Sequence, residues 1–281
     1  MTANQPKKSI KKRIILALAA VVGVVAISVT SVLATVAYLT SSAAVSNVFT
    51  IGNVGISMTE SKVTPEGVPV SPVERTDTNT YHLVPNKTYT KDPVLSVNPG
   101  SDASYLFVLV RNDLEAIECK EHTGEGEHHP TIAQQLAANG WMKFTAASTG
   151  WVYVYVGAGN VPGDNYKVEL KNGSSYVFAG NAVPVSTNST EVKTFKLFDT
   201  FSIDADANVS AYGAAKITLT AVAIQIAGFG TNAEIGTPNA VNAAWAAVVE
   251  TYPYIHTGTN SQGSGNQGSG NQGNPSDSTG N

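Results

Sequence analysis

The sequence predicts an all-β chain with short helical insertions, a jelly-roll-like β-sandwich, and three observations carry that prediction. Runs rich in β-branched and aromatic residues recur from residue 45 to residue 226. Turn-forming clusters of Gly, Pro, Asn and Asp separate them, and only two stretches read as helical. The span from residue 38 to 257 suffices to bury one core, so a single domain is expected. Cys119 is the only cysteine, so an intramolecular disulfide cannot form.

The chain opens on Lys7, Lys8, Lys11, Lys12 and Arg13, followed by an apolar core over residues 14–27. That is the layout of an export signal, and the small residues Thr35 and Ala37 predict cleavage between Ala37 and Tyr38. The competing reading is a retained anchor, because residues 14–39 reach the roughly 20 apolar residues that span a bilayer. In both readings the rest of the chain faces outward. Residues 1–37 hold five basic side chains and no acidic one, so the remainder sets 12 Lys plus Arg against 21 Asp plus Glu, a formal charge of −9. With no basic cluster after Arg13, nucleic acid is excluded as an expected partner.

Residues 45–58 are β-prone and nearly uncharged. The runs 91–98 and 104–111 flank the turn Pro99-Gly100-Ser101-Asp102 and read as neighbouring strands. Residues 131–139 read as a short helix. Trp151-Val152-Tyr153-Val154-Tyr155-Val156 is a strand, and 166–170 with 175–178 form a hairpin around Asn172-Gly173. Residues 194–198 add a further strand. Over 216–226, Ile217, Leu219, Ala221, Ala223 and Gln225 share one face while Val222, Ile224 and Ile226 share the other, which predicts a strand inside a sheet. Residues 238–250 read as a helix with Thr237 as its cap and Pro238 in its first turn. From residue 257 the chain repeats Gln-Gly-Ser-Gly-Asn with no apolar residue to bury, the composition of a flexible tail.

Ala37-Tyr38-Leu39-Thr40, Asn47-Val48-Phe49-Thr50-Ile51-Gly52-Asn53-Val54 followed by Ile56, Lys91-Asp92-Pro93, and Ala223-Ile224-Gln225 resemble, in order and spacing, the exported matrix-fibre proteins of Gram-positive bacteria typified by TasA and camelysin. The resemblance implies a jelly-roll domain, processing by a dedicated signal peptidase, and self-assembly into extracellular biofilm fibres, with other matrix proteins as further partners. It also implies that the mature N-terminal segment serves as a donor strand completing the sheet of the next subunit. On that basis Tyr38, Leu39, Val45, Val48 and Phe49 are the candidate assembly residues. The bland reading of 45–58 is the first strand of its own sandwich, in which Gly52 and Gly55 serve a bend or bulge. Part of the segment, from about Val54, is expected to pair within its own chain, which leaves the donor role to residues 38–50.

The resemblance raises proteolysis as well, since camelysin has been classed as a metallopeptidase, but the chain contains no His-Glu-x-x-His. His122, His128 and His129 sit with Cys119 and four glutamates in a Gly-containing stretch, a residue mix able to take zinc. The other reading is a solvated loop. Asp204-Ala205-Asp206-Ala207-Asn208 has the oxygen spacing of the start of a calcium loop but has Val209 and Ala215 where such a loop needs Gly and Glu, so a turn is expected. No cofactor is expected beyond adventitious zinc or calcium. Trp141, Trp151 and Trp245 are expected to fill the core or subunit contacts, with a carbohydrate platform at Trp151 and Tyr153 as the alternative. The expected organisation is a signal peptide (1–37), a candidate donor segment (38–53), a sandwich (54–256) with an insertion near 113–140, and a tail (257–281). The expected function is a non-enzymatic secreted fibre subunit. The alternatives are a monomeric surface-binding domain and a metallopeptidase.

Overall fold

The computed structural model of the protein describes residues 42–43, 45–119, 129–147, 150–167 and 177–253. Among these the strands are β1 (Ser42–Ala43), β2 (Val45–Ile51), β3 (Ile56–Ser61), β4 (Arg75–Thr76), β5 (Thr80–Tyr81), β6 (Thr88–Thr90), β7 (Val94–Val97), β8 (Ser104–Asn112), β9 (Trp141–Ala147), β10 (Gly150–Tyr155), β11 (Lys193–Lys196), β12 (Thr200–Ser202) and β13 (Ile217–Gln225). The helices are α1 (Ile132–Ala138) and α2 (Pro238–Thr251).

Two sheets make a sandwich. The larger runs β2-β13-β8-β10-β9 and the smaller β11-β7-β3-β4, while β1 with β5 and β6 with β12 form two-stranded ribbons. Ile56, Met58, Leu95 and Val97 from the smaller sheet meet Leu106, Val108, Leu219, Ala221 and Ala223 from the larger in the inner core. The outer face of the larger sheet carries Tyr105, Phe107, Leu109, Val222 and Ile224, which Val241, Ala244, Trp245 and Val248 of α2 cover. A sheet covered on both faces needs strands apolar on both faces, and β8 and β13 have that composition. The split of β13 follows the alternation in its sequence, with odd positions inward and Val222 and Ile224 under the helix. This is the expected all-β sandwich with short helical insertions.

Both helices form where the sequence places them. Thr131 and Gln134 close a reciprocal capping box on α1, with Gln134 N donating to Thr131 Oγ1 at 3.2 Å and Thr131 N to Gln134 Oε1 at 2.7 Å. Thr237 occupies the N-cap of α2 without capping it through its side chain, because its hydroxyl donates to the Glu234 carbonyl at 2.6 Å.

One pairing differs from expectation. The runs 91–98 and 104–111 contain β7 and β8, which lie in different sheets. The turn between them is held by distant partners: Gly100 N donates to Asn188 O, and Asp102 N to Asn53 O. It is therefore a crossing between layers instead of a hairpin loop. Residues 168–176, which include most of both arms of the expected 166–178 hairpin, lie outside the described residues. On its near side, Asn165–Lys167 form a 3-10 turn, since Asn165 Oδ1 accepts from Lys143 N at 2.8 Å and draws the chain against β9. On its far side, Phe178 belongs to no strand and packs against Phe144, with ring centroids 5.3 Å apart.

Candidate functional site

The N-terminal edge of the larger sheet is where the sequence-derived assembly segment meets the fold. β2 runs parallel to β13 in unbroken register, from Val45 opposite Thr218 to Ile51 opposite Ile224. Every other pairing in this sheet is antiparallel. The strands before and after β2 both belong to other sheets, β1 pairing with β5 and β3 with β7, and a parallel ladder is slightly weaker per residue than an antiparallel one. Asn47 and Val48 are exposed, Val48 at 41 %, whereas the β13 residues beneath are sealed: Ala221, Val222, Ala223 and Ile224 are all 0 % exposed. β2 is thus a cover for β13 more than a part of the core. No charged residue occurs between Val45 and Met58, so nothing repels a second strand of the same sequence.

Below β2 the chain turns through residues 52–55. Gly52 adopts φ +93°, and a Cβ there would lie 2.5 Å from Gln225 Oε1 and 2.6 Å from Gln225 Cβ. Only glycine combines that backbone with that approach. Gln225 Oε1 accepts from Asn53 N at 3.2 Å while its Nε2 donates to Asp102 Oδ2 at 3.1 Å, so the last residue of β13 holds the turn at which β2 ends. On the other side, α2 reaches β2 through its C-cap residue. The Tyr252 ring lies 5.1 Å from the Phe49 ring at a 44° tilt, and its hydroxyl donates to the Thr50 carbonyl at 3.3 Å. Phe49 and Ile51 pack against the cluster under α2.

The strand that follows the turn is anchored rigidly. Lys91 and Glu60 are 0 % and 1 % exposed in their side chains and form an ion pair at 2.5 Å, with Glu60 Oε1 buried and unpartnered. Burial pushes the Lys91 ammonium below its usual range, against the opposing pull of Glu60. Asp92 accepts from Ser61 N at 2.6 Å, from Ser61 Oγ at 2.8 Å and from Arg75 Nη1 at 3.1 Å. Lys91-Asp92 therefore ties the end of β3 to β4 and to the start of β7, a structural role that the residue types alone do not reveal.

The remaining sequence-derived sites are distributed elsewhere. Ala37, Tyr38 and Leu39 lie outside the described residues, as do His122 and His128; of Val45 only the backbone pairing is described. His129 Nδ1 lies 3.5 Å from Thr88 Oγ1, and among the described residues no group of three potential metal ligands occurs. The 204–208 stretch is a turn closed by Asp206 N donating to Asp204 Oδ1 at 2.9 Å. Trp141 and Trp245 are core residues. Trp151 and Tyr153 line a cleft of about 340 Å³ with Glu115 and Glu118. Glu118 is committed there to the fold, since its carboxylate accepts from Ile132 N at 2.6 Å and from Asn112 Nδ2 at 3.2 Å. Lys143 Nζ lies 4.6 Å from the centre of the Trp151 ring.

Sequence reasoning reached Val48 and Phe49 but missed Tyr252. The signal was present, since Val241, Ala244, Trp245, Val248 and Tyr252 continue one apolar stripe at helical spacing beyond the expected end of the helix. Compared with protein-family models, with curated proteins and with solved structures, the chain matches none.

Proposed function

We propose that the protein is an exported, non-enzymatic structural subunit that assembles with copies of itself into extracellular matrix fibres by exchanging β2. The observation that carries the reading is the placement of β2: an uncharged strand at the N-terminal side, parallel to β13 at a sheet edge, joined to the rest through a glycine turn. When β2 swings out, the same seven-residue ladder and the same apolar contacts re-form with a copy from a neighbour, so the exchange costs little beyond association and hinge strain. Donation from one subunit to the next is head-to-tail, and a head-to-tail contact whose rotation does not close produces an open fibre. Cleavage between Ala37 and Tyr38 frees the end that must travel, which couples export by a signal peptidase to assembly. The site consists of backbone hydrogen bonds and apolar contacts, the chemistry of a binding surface, and it requires no cofactor. Other matrix proteins with a similar free strand would be admitted at the same edge; nucleic acid would not.

The test is negative-stain electron microscopy of the chain beginning at Tyr38 at rising concentration, beside the uncleaved chain and a variant lacking residues 38–50. Fibres are expected from the first alone, with the deletion variant folded but dispersed. Fibres from the deletion variant would overturn the reading, and persistent monomers of the mature chain would favour a surface-binding domain.

A further inference from the structure

Exchange of β2 requires that the groove recognise the strand in one register, and the groove has a residue placed to do so. We infer that Tyr252 is a clamp borne by the groove, which reads Phe49 of whichever strand occupies the β13 edge, its own or that of a second copy of this chain. The inference rests on the exchange reading and names the specificity-determining contact of that site.

Three features assign the clamp to the groove. First, α2 has anchors besides β2: Val241, Ala244 and Val248 are fully buried in the cluster that also holds Phe107 and Leu109 of β8, and Trp245 packs on Phe107 with ring centroids 5.1 Å apart. Tyr252 continues that helix, its amide donating to the Val248 carbonyl at 2.8 Å. It therefore stays when β2 leaves. Second, two of its contacts on β2 differ in kind. The ring contact is with the side chain of Phe49, the only aromatic residue between Val45 and Ile51, while the hydroxyl contact is with the backbone carbonyl of Thr50. The backbone contact holds any extended strand, whereas the ring contact distinguishes this one. Third, a strand slipped by one residue carries Phe49 to the opposite face and presents Val48 or Thr50 to the ring instead. An aromatic pair contributes beyond simple burial, so the correct register is favoured over its neighbours at this point.

One clamp then has two consequences. In the monomer it retards the release of β2. In an assembly the same residue grips Phe49 of a second copy, so weakening it loosens both states. The occupant is a copy of this chain, because the matched partner of the clamp is this chain's own Phe49 at this register.

Hydrogen exchange on the chain beginning at Tyr38, comparing wild type with Tyr252→Ala and Tyr252→Phe, tests this. The Val45–Ile51 amides are expected to exchange roughly fivefold to tenfold faster in Tyr252→Ala, with Tyr252→Phe close to wild type and the amides around Val241 and Val248 unchanged. Tyr252→Ala fibres are expected to dissociate at lower denaturant than wild-type fibres. Wild-type exchange of β2 in Tyr252→Ala overturns the clamp, as does an equal acceleration throughout α2, which would mean that the helix end merely frays. Faster β2 exchange in a protein whose wild type forms no fibres would uphold the clamp and overturn the exchange reading, so the two failures are separable.

Discussion

Lys91 illustrates how a single residue can be visible in sequence while its role is not. Lys and Glu are almost never fully buried unless paired, and nothing in Lys91-Asp92-Pro93 announces that its ammonium lies inside the sandwich against Glu60 of β3. Burying such a pair contributes little net stability, but removing one partner leaves a charge with neither water nor counter-ion. Glu60→Ala is therefore expected to destabilise the fold by about 3–5 kcal/mol, and the double change Glu60→Leu with Lys91→Met to recover most of that loss. Urea unfolding followed by circular dichroism measures both. A double variant as unstable as Glu60→Ala would mean that the site is held by shape and not by charge. Because the pair secures the end of β3, it helps fix the strand that follows the 52–55 turn.

At the scale of elements, the legible parts are those whose signal is local. The two-faced alternation of β13 was readable because both of its faces are covered, and each helix announced itself through Thr131 or Pro238 near its start. The layer crossing between β7 and β8 was not readable, because it is decided by Asn53 and Asn188, which hold the turn from far along the chain. The expected donor segment was legible as an uncharged β-prone run, yet which of its residues pair within the chain was not, since cis and trans pairing present the same strand to the same edge. Among the described residues the pairing already includes Ser42, opposite Tyr81, well before the Val54 expected from the sequence. The turn below β2 yields its own prediction. At Gly52 an alanine meets both a left-handed backbone and the Gln225 side chain, while at Gly100, with φ +75° and nothing within 4 Å, it meets only the backbone term. Gly52→Ala is expected to cost about 1–2 kcal/mol more than Gly100→Ala, a difference in Tm of roughly 2–8 °C by calorimetry. Equal Tm values would show that the turn accommodates a side chain by releasing Gln225.

For the whole molecule, the decisive question is whether β2 leaves its own sheet, and the register supplies a direct way to forbid it. Val48 lies opposite Ala221 across the parallel ladder. Paired strands lie about 4.7–4.9 Å apart, inside the roughly 4.4–6.8 Å over which disulfides join Cα atoms. Val48→Cys with Ala221→Cys should therefore form a bridge that welds β2 to β13, while the native Cys119 is buried. If fibres grow by exchange, the oxidised variant beginning at Tyr38 is expected to stay monomeric at every concentration that lets wild type polymerise. Adding a reductant should release β2 and restore growth in the same sample. The reversal matters because a slowing of growth caused only by the packing of an extra sulfur beside the core would persist after reduction. Fibres growing from the oxidised chain at the wild-type rate would mean that β2 remains in its own sheet throughout, and that any assembly uses a different surface.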